Sequence, residues 1–256
     1  MTAMPVVVGV DGSAASLNAV EWAAQEAWRH GAPLRIVSAP AMPAPAMSAL
    51  GAAITRAEEV VPSLFIDADL LPVVPPALAV ANSGSGALML VVGARGAGGF
   101  AAMVLGSVSR YAAMHARCPV VVVREETGAV HREVAVGVRD PRDTTGTLAF
   151  AFEEAALRGA TLVAVHSADP GRILAETSAD LTEALSNWRG KYPAVPVRQD
   201  VARSHPARVL ACYSARADLV VIGRHDGPGT GPGIGAVQHA VLSHARGPVA
   251  IVPSAG

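Results

Sequence analysis

A run of glycines and serines in the first half of the chain has the composition of a phosphate-binding loop. It reads Gly93-Ala-Arg-Gly96-Ala-Gly98-Gly-Phe-Ala-Ala-Met-Val-Leu-Gly106-Ser107-Val108-Ser109, with the spacing G-x2-G-x9-G-S. Glycines let a ligand approach exposed backbone N–H groups, and a Gly-Ser pair at the start of a helix presents donors where the helix dipole favours an anion. The spacing is neither a Walker A loop, because no lysine follows the last glycine, nor the G-x-G-x-x-G of dinucleotide folds. Taken alone, such a loop can also be only a tight connection.

An aspartate and a serine follow the first apolar run of the chain. Val6–Val10 is predicted to be a buried strand, and Asp11-Gly12-Ser13 comes directly after it. A carboxylate in this place can accept hydrogen bonds from a ligand, or it can cap the next turn. Ser13 lacks the G-x-S-x-G surroundings of a nucleophile, so we expect it to be the N-cap of the following helix.

The elements that position these residues alternate between strand and helix. Apolar runs in the first half predict strands at Val6–Val10, Leu34–Ser38, Phe65–Val74, Leu88–Val92 and Val120–Val123. Helical spacing lies between them, except at Met42–Met47, where two prolines predict a connection. This alternation predicts an α/β fold with a doubly wound, Rossmann-like parallel sheet. Ligands of such sheets bind at the carboxyl ends of the strands, which is where Asp11 and the Gly-rich loop lie.

Landmarks of the first half recur in the second half in the same order and at nearly the same offset. The matched pairs are Val8-Gly-Val with Val136-Gly-Val, Gly31-Ala-Pro-Leu with Gly159-Ala-Thr-Leu, Leu90-Val-Val-Gly93 with Val220-Val-Ile-Gly223, and His115-Ala-Arg-Cys-Pro-Val120 with His244-Ala-Arg-Gly-Pro-Val249. A repeat of this size indicates two tandem copies of one domain. We predict domains at residues 1–127 and 132–256.

The last strand of each copy is expected to be an apolar sheet edge. Val120–Val123 and Val249–Val252 end their copies, and an exposed apolar edge needs a partner. We therefore expect the two copies to form a pseudo-dimer within one chain, related by a pseudo-two-fold axis. A further homodimer of the whole chain is compatible with this expectation.

Composition excludes several classes of partner. The formal charge is −1 and there is no run of Lys or Arg, so the positive surface that nucleic-acid binding needs is not expected. No apolar run reaches transmembrane length, and the start of the chain has no basic segment before an apolar one. Cys118 and Cys212 are far apart and fit free thiols in a reducing compartment. We expect a cytoplasmic protein that binds neither nucleic acid nor membrane.

With these motifs together, the chain resembles a tandem-domain universal stress protein, of the ATP-binding type in its first copy. The motifs that carry the resemblance are Val8-Gly-Val-Asp11-Gly-Ser13, the Gly-rich loop, and His115-Ala-Arg-Cys-Pro-Val120. The resemblance implies that Asp11 lies at the adenosine end of ATP, that backbone near Val37 meets the adenine, and that the loop holds the phosphates, with Mg2+ as the accompanying cation. The nucleotide-binding residues implied in this way are Asp11, Gly12, Ser13, Val37, Gly93, Gly96, Gly98, Gly106, Ser107, Val108 and Ser109.

The second copy departs from this pattern at each of these places. Arg139 replaces Asp11, Asp226 falls in the place of Gly96, and Ala236 replaces Ser107. The loop also carries Pro228 and Pro232, each of which lacks an amide donor. We therefore expect ATP in the first copy and not in the second. A different anion at Arg224, His225 and the glycine-rich backbone stays open.

Three classes of function fit the sequence. The first is a regulatory nucleotide-binding protein with an unknown protein partner and without efficient turnover, because no lysine, general base or metal-ligand cluster accompanies the loop. The second is an enzyme, either a slow ATPase or a nucleotide-dependent transferase. The S-G-G-x-D-S or H-x-G-H motif of an adenylating enzyme is replaced here by Asp11-Gly-Ser-Ala-Ala-Ser16, which disfavours the transferase. The third is a scaffold that binds no ligand.

Overall fold

The computed structural model describes residues 3–39, 43–72, 74–96, 105–124, 130–140, 145–167, 174–224 and 235–254. The chain forms two compact units, Met1–Thr127 and Gly128–Gly256. Strands and helices alternate along each unit.

The first unit is a parallel sheet with helices between its strands. Its elements in chain order are β1 (Val6–Val10), α1 (Ala14–Arg29), β2 (Leu34–Ser38), α2 (Pro43–Val60), β3 (Ile66–Leu70), α3 (Pro76–Ser83), β4 (Met89–Gly93), α4 (Ser107–His115) and β5 (Val120–Val123). The strand order is β3-β2-β1-β4-β5, and all neighbours pair in parallel. The order reverses between β1 and β4, so the switch point of this doubly wound sheet lies at their carboxyl ends.

The second unit repeats this arrangement. Its elements are β6 (Glu133–Gly137), α5 (Thr145–Arg158), β7 (Thr161–Ser167), α6 (Leu174–Lys191), β8 (Val197–Ala202), α7 (Pro206–Tyr213), β9 (Leu219–Gly223), α8 (Ala236–His244) and β10 (Val249–Val252). The strand order is β8-β7-β6-β9-β10, again parallel throughout. The predicted fold class is therefore confirmed.

Both cores are built from the central strands, because parallel strands covered on two faces need apolar residues at consecutive positions. In the first unit, β4 and β5 are buried at every position. Much of the buried surface of α1 consists of small residues. Ala19, Ala23, Ala24 and Ala27 are fully buried. Small residues let α1 approach the sheet closely, so that the start of α1 lies beside the end of β4.

Two sequence-based predictions of element bounds were wrong. The segment Met42–Met47 was expected to be a connection, but α2 already begins at Pro43. Prolines are tolerated in the first turn of a helix because its N–H groups have no intrahelical acceptor. The third strand was expected over Phe65–Val74, but β3 ends at Leu70. The amide of Leu71 instead donates to the Ser38 carbonyl at 2.8 Å.

No helix within the described part of the chain combines the length and the apolar character that crossing a bilayer requires.

Candidate functional site

The turn after β1 is organised around the carboxylate of Asp11. Gly12 has φ +82°, a left-handed conformation that favours glycine, and this bend turns the chain from the strand into α1. Asp11 Oδ1 accepts hydrogen bonds from the Ser13 amide at 3.0 Å and from the Ser13 hydroxyl at 2.6 Å. One carboxylate oxygen is therefore used to hold the turn.

Ser13 is the N-cap of α1, as the sequence predicted. Its hydroxyl accepts from the Ser16 amide at 3.2 Å, and its backbone is extended, as N-cap residues are. The same hydroxyl donates to Asp11, so Ser13 joins the start of the helix to the candidate ligand-binding carboxylate.

Gly93 allows the end of β4 to lie directly against the start of α1. A β-carbon at this position would lie 2.7 Å from the backbone carbonyl atoms of Ala15 and 3.0 Å from the Ser16 amide nitrogen. Backbone cannot give way as a flexible side chain can, so only glycine fits. The role of Gly93 in this structure is to bring α1 and β4 together.

Asp11 and Gly96 meet at the switch point. Asp11 Oδ2 lies 2.5 Å from the position that a β-carbon on Gly96 would occupy. The sequence placed these two residues at the same crevice, and the structure brings them into contact. Gly98, also a predicted site residue, lies outside the described residues.

The start of α4 presents backbone donors next to this contact. Gly106 is the N-cap, and its carbonyl accepts the first helical bond from the Arg110 amide at 3.0 Å. The amides of Ser107, Val108 and Ser109 precede that bond and have no intrahelical acceptor. Ser107 is the first residue of the helix and is exposed, so its hydroxyl is also accessible.

Two of the predicted phosphate donors are used inside the protein. The Gly106 amide donates to the Ala94 carbonyl at 2.8 Å. The Ser109 hydroxyl is buried and donates to the Gly93 carbonyl at 2.6 Å. These bonds fix the start of α4 against the end of β4, so Ser109 acts in this structure as a positioning residue.

Val37 lies inside the sheet. It is fully buried in β2, opposite Gly9 of β1 on one side and Asp69 of β3 on the other. A backbone flanked on both sides by paired strands belongs to the hydrogen-bonded ladder. The backbone of Val37 therefore takes part in the sheet.

Two arginines that the motif does not single out lie close to the start of α4. The Arg95 Cα atom is 3.6 Å from the β-carbon position of Gly106, and Arg95 is exposed. Arg110 is exposed in the first turn of α4. Both residues carry a positive charge and belong to the chain next to a helix start that already favours anions. The sequence shows that residue 95 of the loop is an arginine. Only the fold shows that both arginines lie close to Gly106.

The corresponding crevice of the second unit carries larger side chains. The carbonyl of Val10 accepts from the Ser38 hydroxyl at 3.0 Å, whereas that of Val138 accepts from His166 Nδ1 at 2.7 Å. At the other strand end, Gln238 Nε2 donates to the Gly223 carbonyl at 2.9 Å.

Arg139 is exposed after β6 and Ala236 begins α8. His225, Asp226, Pro228 and Pro232 lie outside the described residues.

The fold and the site together define a tandem α/β protein with a candidate anion-binding crevice in its first unit. The model of the universal stress protein family matches residues 3–71, 73–124 and 131–253. The chain belongs to the universal stress protein family, with two domains in tandem.

Relatives that match the chain over nearly their whole length exist in mycobacteria. The chain is 34% identical over 285 aligned residues to universal stress protein Rv2005c of Mycobacterium tuberculosis, covering 96% of each chain. It is 35% identical to a universal stress protein of Mycolicibacterium smegmatis, again with 96% of each covered.

Solved structures share the fold. A universal stress protein from Archaeoglobus fulgidus aligns with a TM-score of 0.72 at 16% identity, covering 97% of this chain and 98% of that one. A shorter universal stress protein was solved in complex with cAMP. It is 33% identical and covers 49% of this chain and 100% of its own, with a TM-score of 0.42.

Proposed function

We propose that the chain is a regulatory protein that binds one ATP in its first domain and does not turn it over efficiently. The observation that carries the proposal is the meeting of Asp11 and Gly96 beside the start of α4. A carboxylate, a glycine with an accessible backbone and a helix N-terminus come together where doubly wound sheets bind their ligands.

Asp11 provides the adenosine end of the proposed site. Oδ1 is held by Ser13, and this fixes the direction of the carboxylate. A carboxylate accepts hydrogen bonds and does not donate them, so it suits the hydroxyl groups of a ribose.

The start of α4 provides the phosphate end. The amides of Ser107 and Val108, the Ser107 hydroxyl and the nearby Arg95 guanidinium supply donors and positive charge. Phosphates suit such a place because both the unpaired amides and the helix dipole favour negative charge. Mg2+ would accompany the phosphates and neutralise part of their charge.

The same residues support binding without efficient turnover. The only lysine in the chain is Lys191, at the end of α6, so the first domain has no lysine to stabilise the transferring phosphate. The carboxylate of the site, Asp11, is already engaged by Ser13 and is assigned to the adenosine end. Occupancy by the nucleotide, rather than its hydrolysis, would then change the surface presented to a protein partner.

Calorimetry with Mg-ATP on the full chain tests this function. We expect a stoichiometry near one per chain. The variant Gly106→Asp should abolish binding, because a carboxylate at the N-cap takes the free amides and repels phosphate. The Gly106 backbone is extended, with φ −69° and ψ 157°, so an aspartate fits there without backbone strain.

Gly106→Ala is the matched control. A β-carbon at this position would meet the Ala94 carbonyl oxygen at 3.4 Å, an ordinary contact, so binding should persist. Two equivalent ATP sites, or unchanged binding in Gly106→Asp, would contradict the proposal. Absence of binding in the wild-type protein would favour the scaffold, since a ligand at 100 times its dissociation constant adds about 2.7 kcal/mol of stability that thermal denaturation detects.

A further inference from the structure

The helices α4 and α8 begin beside the crevices of the two domains. Each is anchored to the carbonyl group of the last residue of the preceding strand, but by a different side chain. In the first domain the Ser109 hydroxyl donates to the Gly93 carbonyl at 2.6 Å. In the second, Gln238 Nε2 donates to the Gly223 carbonyl at 2.9 Å. Gly93 and Gly223 end β4 and β9, and both donors are third residues of their helices. The anchor is conserved between the domains although the residue differs.

The remainder of the glutamine side chain lies at the start of α8. Gln238 Oε1 overlaps the position that a β-carbon on Gly235 would occupy, and Cδ lies 3.2 Å from that position. Gly235 is the N-cap of α8. A glutamine at the third helical position whose side chain reaches back to the N-cap is placed like the third residue of a capping box. Its amide oxygen therefore lies over the start of α8.

Among the residues that the structure describes, the first domain has no comparable acceptor at this place. Around the β-carbon position of Gly106, the nearest atoms are the Ala94 carbonyl oxygen at 3.4 Å, the Arg95 Cα at 3.6 Å and the Ser109 hydroxyl oxygen at 3.6 Å. The Ala94 oxygen already accepts from Gly106, and the Ser109 hydroxyl is turned to Gly93. The serine therefore secures the helix without covering its start.

We propose that Gln238 places an internal acceptor at the phosphate position of the second domain, and that Ser109 is the residue that keeps this position open in the first. The inference rests on the proposed function and names the residue that separates the two domains. A neutral amide oxygen over the helix start occupies the place that a phosphate would otherwise take beside the unpaired amides. The phosphates of a nucleotide would have to displace it.

Transferring the glutamine to the first domain tests this inference. In the full-length Ser109→Gln variant, the side chain can keep the bond to Gly93, as Gln238 keeps its bond to Gly223. We expect the affinity for Mg-ATP to fall by about tenfold or more, because charged hydrogen bonds to the phosphates are lost. The affinity for adenosine, which has no phosphate, should stay unchanged.

Ser109→Ala is the matched control, since it removes the anchor without adding an acceptor. It should keep the wild-type ratio of ATP affinity to adenosine affinity. An equal fall of that ratio in both variants would overturn the inference, because the anchor alone would then explain the loss. A wild-type ratio in Ser109→Gln would also overturn it.

A second measurement does not depend on nucleotide. In Gln238→Ala, the amides of Gly235, Ala236 and Val237 should exchange with deuterium faster than in the wild-type protein, because the side chain that covers the helix start is removed. Unchanged exchange would overturn the inference even if Ser109→Gln fails to fold. Wild-type protein that binds neither ATP nor adenosine would instead overturn the proposed function, and faster exchange in Gln238→Ala would then leave Gln238 as the internal acceptor of α8.

Discussion

The carboxylate of Asp11 rests against the backbone of Gly96, with Oδ2 2.5 Å from the place of the absent β-carbon. Asp11 follows β1 and Gly96 follows β4, the two strands on either side of the switch point. The lack of a side chain at residue 96 is thus what allows the carboxylate to lie across the crevice. Asp11 is held from one side by Ser13 and limited on the other by Gly96.

Gly96→Ala should weaken nucleotide binding by displacing Asp11. The added methyl group would overlap the carboxylate, and Asp11 would have to leave Ser13 or turn away from the ligand. We expect the affinities for ATP and for adenosine to fall by similar factors, roughly tenfold for one hydrogen bond to a charged group. Calorimetry with both ligands measures this.

Gly51→Ala is the control for that substitution. Gly51 lies in α2 and a β-carbon there meets nothing within 4 Å, so neither affinity should change. If Gly96→Ala bound ATP and adenosine like the wild-type protein, the contact with Asp11 would have no part in binding.

Asp11→Ala should lower the affinity for ATP by about 1.5–3 kcal/mol through the loss of hydrogen bonds to a charged acceptor. The matched control is Arg139→Ala, which truncates the residue in the same place of the second domain and should leave binding unchanged. Circular dichroism must show intact structure, because Asp11 also organises the turn before α1. A loss in Arg139→Ala with none in Asp11→Ala would mean that the wrong domain has been assigned, and equal losses would mean that both domains take part in binding.

The sequence predicted the fold and the location of the crevice, because both follow from local patterns. Apolar runs at regular intervals predicted the strands, and the position of Ser13 before a helical pattern predicted its N-cap role. The repeat predicted a second unit with the same element order. Parallel strands leave few topologies to choose from, so the meeting of Asp11 with the Gly-rich loop could also be expected.

The sequence did not predict how the site residues use their own hydrogen bonds. The bonds from Ser109 to Gly93 and from Gly106 to Ala94 join residues that are distant along the chain, and a motif gives only residue type and spacing. Val37, which the resemblance places near the adenine, has its backbone between two paired strands, and this too is visible only in the structure. The difference between Ser109 and Gln238 becomes interpretable only once both are seen to bond equivalent carbonyls.

ATP turnover should be far below that of ordinary enzymes, which work at about 1 per second or faster. The reason is that the proposed phosphate end offers Ser107, Val108 and Arg95 but no lysine. Phosphate release from purified protein with saturating Mg-ATP measures the rate. Release near 1 per second that is lost in Gly106→Asp and kept in Gly106→Ala would show that the protein is an ATPase.

Tyr213 should make the stability of the second domain sensitive to alkaline pH. Burial and the hydrogen bond to Asp200, at 2.5 Å, raise the pKa of Tyr213 above its usual value of 10.0, although Arg216 over the ring opposes this. A raised folded-state pKa gives stability that is complete below the unfolded pKa and is lost as pH rises through the folded pKa. Urea unfolding should therefore show a steeper fall in stability above about pH 10 for wild type than for Tyr213→Phe. Parallel pH curves would contradict this.

Two neighbouring residues are exchanged in size between equivalent positions of the two domains, and this difference can be tested without a ligand. Gly84 is the C-cap of α3, and a β-carbon there would lie 2.7 Å from the Cys118 sulfur. The second domain has the reverse combination, with Ser214 as the C-cap of α7 and Gly247 in the place of Cys118. Ser214 donates to the Ala211 carbonyl and accepts from the Arg246 amide, and a β-carbon on Gly247 would lie 2.6 Å from the Ser214 carbonyl oxygen. In the first domain, the Cys118 sulfur therefore occupies the space that a side chain at residue 84 would need. In the second domain, residue 214 has a side chain and residue 247 has none.

Transferring the second domain's pair into the first should restore most of the stability that either single change removes. Gly84→Ser should cost about 1–3 kcal/mol through overlap with Cys118, since the Gly84 backbone, with φ −72° and ψ −5°, accepts any side chain without strain. Cys118→Gly should cost a similar amount by leaving a cavity in a buried position.

The double variant should lose less than the sum of the two, because the serine side chain then occupies the space that the sulfur has left. Chemical unfolding of the wild type, both single variants and the double variant measures the coupling energy, which for residues in contact lies at about 0.5–3 kcal/mol. Simple additivity would show that the two side chains do not compete for the same space.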